Sequence, residues 1–388
     1  MSPSFKSLLR IFTSMRLTVV LLVFSMLLVF ISTLAQVNLG VWAVQEEYFR
    51  SFFVMTRLPG AAIAVPIFPG GYLIGGLLLL NLAAAHVSRL RLTWEKSGLW
   101  LTHFGLILLL LGELLSGLLQ KESMMRLSQG ETRTYSESTR QVELAVIDAT
   151  NPKFDDVVAI PPGALEDLTA IQHPKLPFLV RPLAFYPNAA LQMRSQAPAA
   201  PPSPASQGFG PQMVVTPEPV TYKPDEQNLP AAVIELIGAE GTLGTWLVSA
   251  GLTEPQTVAV QGRTYQLTMR PRRHYFPFSI TLLKFSHDRY PGTDIPKNFS
   301  SRVRLRTPDG GVDRGVLIHM NNPLRYGGLS FFQAGFEPDD RTTILQVVQN
   351  PGRALPYVSC VLMFAGLMVH FAIHLARFIR KRTATAAA

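Results

Sequence analysis

Four of the eight histidines in this 388-residue chain, His86, His103, His370 and His374, fall in or beside long apolar stretches. An imidazole there carries information, because an ionisable group in hydrocarbon is costly and tends to pair, face a bundle interior or bind a ligand. His370 and His374 have the i, i+4 spacing of a zinc-binding pair, but zinc needs three or four converging groups and no carboxylate or thiolate accompanies them. A haem iron takes two histidines on opposite faces of a planar ring. Two residues one turn apart on a single helix cannot supply that, so a second helix, from this chain or another, has to contribute. The competing readings are a hydrogen-bonded packing role for His103 and His370, and snorkelling to the headgroups for His86 and His374, which lie close to arginines.

Other residues carry weaker signals. Glu113 is a carboxylate within an apolar run, which makes it a candidate for a partner contact or for a hydrogen bond to Ser116. The basic run Arg270, Arg272, Arg273, Lys284 and Arg289 reads as a solvated sheet face or as a docking site for a propionate or an acidic partner surface. There is no Cys-x-x-Cys-His, so the chain is not itself a c-type cytochrome. The absence of a phosphate-cradling glycine loop and of Gly-x-Ser-x-Gly argues against nucleotide hydrolysis and hydrolase chemistry.

The elements that position these residues are set by four apolar runs, 17–35, 71–87, 98–119 and 355–376, each near the ~20 residues needed to cross a bilayer. They predict an integral membrane α-helical protein with four transmembrane helices, three plus one, and a large external antiparallel β-rich domain at 120–354. Lys6, Arg10 and Arg16, then Arg89, Arg91 and Lys96, then Arg377, Arg380, Lys381 and Arg382 flank the spans on one side. The positive-inside rule makes that side cytoplasmic, so the termini (1–16 and 377–388) and the loop 88–97 lie inside and 36–70 lies outside. All four span histidines then fall toward the cytoplasmic leaflet, with His103 about 7 Å along its helix. The first span has no convincing cleavage site and is expected to remain as a helix. The net charge of +9 follows this topology, so the expected partners include membrane lipid and exclude nucleic acid. The single cysteine, Cys360, lies in the fourth span, permits no intrachain disulfide and reads as a buried apolar filler.

Within 36–70, Val41, Val44, Tyr48, Phe52 and Met55 recur at helical spacing, which predicts an amphipathic helix on the membrane surface or against the large domain. Gly71 and Gly75 form a small-xxx-small pair able to admit a neighbouring helix. The large domain shows period-two alternation. Ser301–Arg306, the turn Pro308–Gly311 and Val316–Met320 predict one hairpin. A second is Thr257–Val260, Gln261-Gly262 and Thr264–Leu267, with Ser279–Phe285 as a following strand in a sandwich or open barrel. The proline-, alanine- and serine-rich stretch 195–227 is expected to be a flexible insert, from which 197–207 should be removable with little loss. Asn321 to Gly328 reads as a rigid turn that either closes the sheet or presents Arg325 and Tyr326 to a partner.

Three groups of residues resemble the ResB-like (CcsB) cytochrome c biogenesis proteins of the system II pathway. One is Met15 to Leu22. The next is His103-Phe104-Gly105-Leu106 with Gly112. The third joins Phe285 to Thr293, Lys297 to Ser301, Met320 to Gly328, and Gln349 to Gly352. The resemblance implies work with a CcsA-type integral membrane partner, carrying b-type haem across the membrane and attaching it to Cys-x-x-Cys-His apocytochrome c. It implies His103 as a haem ligand shared with a partner histidine and no catalytic residue in this chain alone; His370 and then His86 follow as ligand candidates from their place in the spans. A multi-pass protein of the bacterial inner (plasma) membrane is expected, because no transit peptide precedes the first span. The alternative function is a membrane-anchored external β-domain that binds or chaperones a protein client without haem.

Overall fold

The computed structural model describes residues 10–57, 64–89, 93–151, 154–221, 227–292 and 296–386. Lys6, Arg91, Thr293 and residues 222–226 of the proline-rich stretch lie outside them. The chain divides into a helical unit, up to Lys121 and from Gln349, and a β-rich unit over Glu122–Thr221 and Asp225–Val348.

Among the described residues of the helical unit, four helices are long and apolar enough to span a membrane: α1 (Met15–Leu39), α2 (Gly71–Arg89), α3 (Ser97–Leu119) and α4 (Leu355–Ala386). Asn81, buried in α2, joins α1 to α2. Its Oδ1 accepts from Thr18 Oγ1 at 2.6 Å, and its Nδ2 donates to the carbonyls of Phe12 (2.6 Å) and Ser14 (3.2 Å). In hydrocarbon an amide satisfied on both ends holds two helices where leucines would merely exchange contacts with lipid.

Antiparallel α3 and α4 meet along a stripe of small residues. Gly98, Gly105 and Gly112, seven apart and buried, face Gly366, Ser359 and Leu355. The repeat of seven keeps that stripe on one face, and the missing side chains let the backbones approach. Beyond it, Asn350 Nδ2 donates to Ser116 Oγ (3.0 Å) and Gln120 Oε1 (2.9 Å), tying the entry to α4 to the end of α3.

Three expectations for this unit are corrected. The amphipathic helix ends early: after a helical turn at Val41–Val44 and a π-turn at Gln45–Phe49, the chain forms the hairpin β1 (Phe53–Arg57) and β2 (Ala64–Pro69). Phe52 and Met55 are exposed, so the helical spacing of these apolar residues does not describe one buried face. Nor do Gly71 and Gly75 seat a helix in this chain. Gly71 sits against the backbone of Phe49, and open space surrounds Gly75. Cys360 is exposed on the surface of α4 rather than buried.

Every strand pairing of the β-rich unit whose register is described is antiparallel. Its strands are β3 (Lys121–Ser128), β4 (Thr132–Asp148), β5 (Asp156–Ile160), β6 (Leu179–Tyr186), β7 (Ala189–Met193), β8 (Met213–Pro217), β9 (Ala231–Gly238), β10 (Gly241–Ser249) and β11 (Gln256–Val260). They continue with β12 (Arg263–Arg289), β13 (Pro296–Arg306), β14 (Asp313–His319), β15 (Leu324–Tyr326), β16 (Leu329–Phe336) and β17 (Thr342–Gln349). A ten-stranded sheet runs β14-β13-β12-β4-β3-β17-β16-β15, with β11 on β12 and β5 on β4. One end of the long β4–β12 ladder packs on the three-stranded sheet β10-β9-β6 through Leu144, Val146, Ile234, Trp246 and Leu267. The other end encloses a second core of Met125, Ile280, Val303, Ile318, Phe331 and Leu345. Sandwich and curled sheet thus coexist on two shared strands.

Both expected hairpins are present, and Gln261 and Gly262 at φ 50° and 75° form a tight turn of the primed kind. Ser279–Phe285 is not a separate strand. It is the second half of the 27-residue β12, whose register shifts between Tyr275 and Ile280 mark the bend.

The proline-rich stretch is also corrected, because its described residues carry structure. The Arg194 guanidinium donates to the carbonyls of Pro211, Ala200, Pro201 and Met213 at 3.2, 3.4, 3.0 and 3.5 Å. Ser206 and Gln207 donate backbone N–H bonds to Thr245, β8 pairs with β7, and Ala205 is buried beside Val233 and Leu247. Composition understated this order because one arginine satisfies carbonyls that a proline-rich chain cannot pair by itself. Deleting 197–207 is therefore expected to destabilise the β-rich unit by about 1–3 kcal/mol, as the unpaired groups of Arg194 and Thr245 are left behind. An accelerated tryptic digestion of the full-length protein would show it, and an unchanged digest would contradict it.

Gly327 and Gly328, at φ 57° and 77°, turn β15 into β16. A Cβ on Gly327 would stand 3.3 Å from Phe278 Cε1, whereas Gly328 has open space. Gly327→Val is expected to cost about 2 kcal/mol and lower the amount of folded protein, with Gly328→Asn near neutral. Equal thermal midpoints for the two variants would refute this reading of the turn.

Candidate functional site

Two imidazoles meet between α2 and α3. His86 lies in the last turn of α2, and Trp100 and His103, three residues apart, project from one side of α3. The His86 ring stands edge-to-face on Trp100 with centroids 3.7 Å apart, and 6.0 Å from the His103 ring at an interplanar angle of 32°. His86 is only 5% exposed, and neither ring nitrogen has a hydrogen-bond partner among the described residues. An unpaired buried polar group costs about 1–3 kcal/mol.

His103 has a defined tautomer. Its Nδ1 lies 2.8 Å from the Leu99 carbonyl, which can only accept, so Nδ1 carries the proton and Nε2 keeps its lone pair. A histidine that ligates a metal is prepared in this way, by donating its other N–H to a carbonyl.

At 100° per residue, His103 lies roughly 140–160° around α3 from Gly98 and Gly105, the residues that face α4. His370, whose backbone lies against Gly98, is therefore on the opposite side of α3. The structure thus brings His86 to His103 and keeps His370 away from both. His370 instead pairs with His374, centroids 4.4 Å apart, and its buried Nδ1 has no partner among the described residues. His374 is exposed. No group of three or more His, Cys, Asp or Glu side chains among the described residues is arranged to hold a metal ion, so either pair would act as a pair.

Three histidines of the β-rich unit contrast with these. His287 Nε2 accepts from Arg289 Nε at 3.0 Å while its ring stacks on Phe336. His319 donates from Nδ1 to the Met320 carbonyl and accepts at Nε2 from Asn322. His173 Nδ1 accepts from the backbone of Lys175. The basic run is likewise engaged: Arg270 with Glu143 (3.1 Å), Arg273 with Glu137 (3.1 Å), Arg272 with Gln141 (3.2 Å) and Arg289 with Asp340 (3.3 Å). Only Lys284 of that set has no such bond described, so the run reads as a sheet face rather than a docking site. Nearby pairs behave alike. The Arg304 guanidinium holds the Asp313 carboxyl below the ordinary carboxylate range, and Arg126 does the same for Glu337.

Glu113 is exposed on α3, and Ser116, its expected partner, is bonded to Asn350 instead. Arg325 is exposed, while the Tyr326 ring packs edge-on to Phe278 at 5.0 Å in the core. Residues missed on sequence alone are Asn81, Trp100 and the glycine stripe of α3. Of these, only the stripe had a readable signal, its period of seven.

The profile of the ResB-like family matches residues 83–344, a stretch that includes His86, His103, Glu113, Arg325 and Tyr326 and ends before His370. Protein NrfI of Wolinella succinogenes is 35% identical to this chain over 119 residues, which are 31% of this chain and 13% of that protein. The match therefore takes in far less than two thirds of that relative's length.

Proposed function

The chain belongs to the ResB-like family, and from that premise we propose that it is the haem-binding membrane subunit of a cytochrome c biogenesis complex. In this reading it acts with a CcsA-type integral membrane partner of the system II pathway. Together they carry haem across the bacterial plasma membrane and attach it to Cys-x-x-Cys-His apocytochromes. The β-rich unit lies on the extracytoplasmic side and both termini lie in the cytoplasm, a reading supported by the cations that flank the spans.

The observation that carries the reading is His103, an imidazole in a spanning helix whose Nδ1–H is committed to the Leu99 carbonyl and whose Nε2 lone pair is free to bind iron. The residues present fit the cargo. A metal held within the macrocycle asks this chain for one axial nitrogen rather than a three-residue cluster, and His103 supplies it. α3 is fixed by its glycine stripe on α4, so the nitrogen is presented from a rigid element. Glu113 and Arg325, exposed in their units, are the contacts assigned to the partner.

The test is complementation. In cells that lack this chain but contain the partner and a reporter apocytochrome, covalently attached haem should appear only when the chain is restored. Haem attachment at the same level without the chain would refute the proposal.

A further inference from the structure

We infer that the hairpin β1–β2 is embedded in the bilayer, with its outward face against lipid in the leaflet at the Leu39 end of α1. The inference is independent of the haem reading and needs only the spanning helices.

Depth carries it first. The hairpin packs on α1 through Val54 against Leu28 and through the Phe68 ring, which stands edge-on to Phe24 with centroids 5.6 Å apart. Phe24 and Leu28 are the tenth and fourteenth residues of the 25-residue α1. At 1.5 Å per residue they lie about 22 and 16 Å from its end at Leu39, within the ~30 Å of hydrocarbon rather than above it. Helix α2 gives the same depth. From the bond between Thr18 and Asn81, which fixes the two helices side by side, α2 runs about 15 Å to its first residue, Gly71, whereas α1 runs about 31 Å to Leu39. The base of the hairpin is joined to that first turn of α2: Gly70 donates its N–H to the Phe52 carbonyl at 2.9 Å, and Tyr72 donates to the Ser51 carbonyl at 3.2 Å.

The side chains and the backbone agree with that depth. Phe52, Phe53, Met55 and Ile67 are 50–63% exposed, and from Ser51 to Pro69 the sequence holds one charged residue, Arg57. A strand of this chain that meets water is written differently. β13 buries Ser301, Val303 and Leu305 and turns Arg302, Arg304 and Arg306 outward. In lipid the outward N–H groups of an edge strand are costly, since no water is there to accept from them. Proline has no N–H and in a ladder must turn its nitrogen away from the paired strand. Pro66 and Pro69 stand opposite Met55 and Phe53, at outward positions of β2, so two of that edge's outward donors do not exist. β1 itself lies against the turn at Gln45–Phe49.

The experiment is spin-label accessibility in the full-length chain, reconstituted alone into bilayers of phosphatidylcholine and phosphatidylglycerol. Met55→Cys and Ile67→Cys are each made in a Cys360→Ser background and labelled with a nitroxide. Phe30→Cys on α1 is the lipid-facing reference and Leu317→Cys on β14 the water-facing one, both at exposed side chains. Power saturation compares collisions with oxygen, which concentrates among acyl chains, and with a nickel chelate, which stays in water. Oxygen collisions are expected to exceed nickel collisions at Met55→Cys and Ile67→Cys, as at Phe30→Cys. Nickel in excess, as at Leu317→Cys, would place the hairpin in water. Low collision rates with both reagents would place it under protein, the β-rich unit or a second copy of the chain. Either of those results overturns the inference. Both labels replace exposed side chains, and should one variant fail to insert, the other decides.

Discussion

His103→Ala is expected to lower the haem that co-purifies with the chain and its partner by about tenfold or more, and to reduce cytochrome c assembly accordingly. The variant removes the whole imidazole and leaves a space its own size, and the glycine stripe that fixes α3 on α4 lies on the other side of the helix, so the fold should persist. Added imidazole should restore part of the bound haem by entering the vacated position. That rescue separates a lost ligand from a damaged helix, because a small base cannot repair packing. His370→Ala, on the far side of α3, should have a smaller effect. Wild-type haem content in a folded His103→Ala protein would remove His103 as ligand.

Gly98→Val is expected to be the most damaging single change in the helical unit. A Cβ at Gly98 would overlap the backbone nitrogen of His370 and the carbonyl of Gly366, and Gly366 in turn lies against Thr102 and the Gly98 carbonyl. These are backbone atoms, so no rotamer change relieves the overlap and the helices must separate. Overpacking of this kind costs about 3 kcal/mol. Gly75→Val is the matched control, with the same residue change in a spanning helix but no neighbour within 4 Å. The yield and thermal midpoint of monodisperse protein in detergent should fall sharply for Gly98→Val and stay near wild type for Gly75→Val. Equal values would show that α3 and α4 do not pack as described.

The two damaging changes differ in how visible their basis was in the sequence. The spans were legible because hydrocarbon demands length and apolarity, which are properties of a single segment. The hairpins at Gln261-Gly262 and Pro308–Gly311 were legible for a similar local reason, since a turn signal sits between alternating strands. Depth alone placed His86 and His103 in one leaflet, but their meeting at 6.0 Å depends on how α2 and α3 face each other. The stripe at Gly98, Gly105 and Gly112 turns His103 away from α4, Asn81 holds α2 to α1, and His86 meets α3 on Trp100. None of this packing shows in hydropathy. The proline-rich stretch misled for the opposite reason. Its composition describes a chain that cannot pair its own carbonyls, while Arg194, just before it, pairs them. Tyr326 looked presentable beside Arg325 because a three-residue strand such as β15 is too short to reveal its alternation, and the structure turns its ring inward onto Phe278.

Helix α1 continues past its expected end at Ala35 to Leu39, where Gly40 at φ 83° redirects the chain. The hairpin that follows packs Val54 against Leu28 and Ile74, so the segment between the first two spans is held by the helices themselves. Helical periodicity over Val41 to Met55 was real only as far as Phe49. Beyond it, Phe53 to Arg57 finds a strand partner in Ala64 to Pro69, and pairing overrides the helical spacing.

The most direct test of the account is the visible spectrum of the wild-type chain purified with its CcsA-type partner from cells that are assembling cytochrome c. The account requires a Soret band from low-spin, non-covalently bound haem that extracts into acidified solvent and diminishes in His103→Ala. A folded complex that supports full cytochrome c assembly and shows no such band would contradict it, and would leave the chain as a membrane-anchored β-domain serving a protein client.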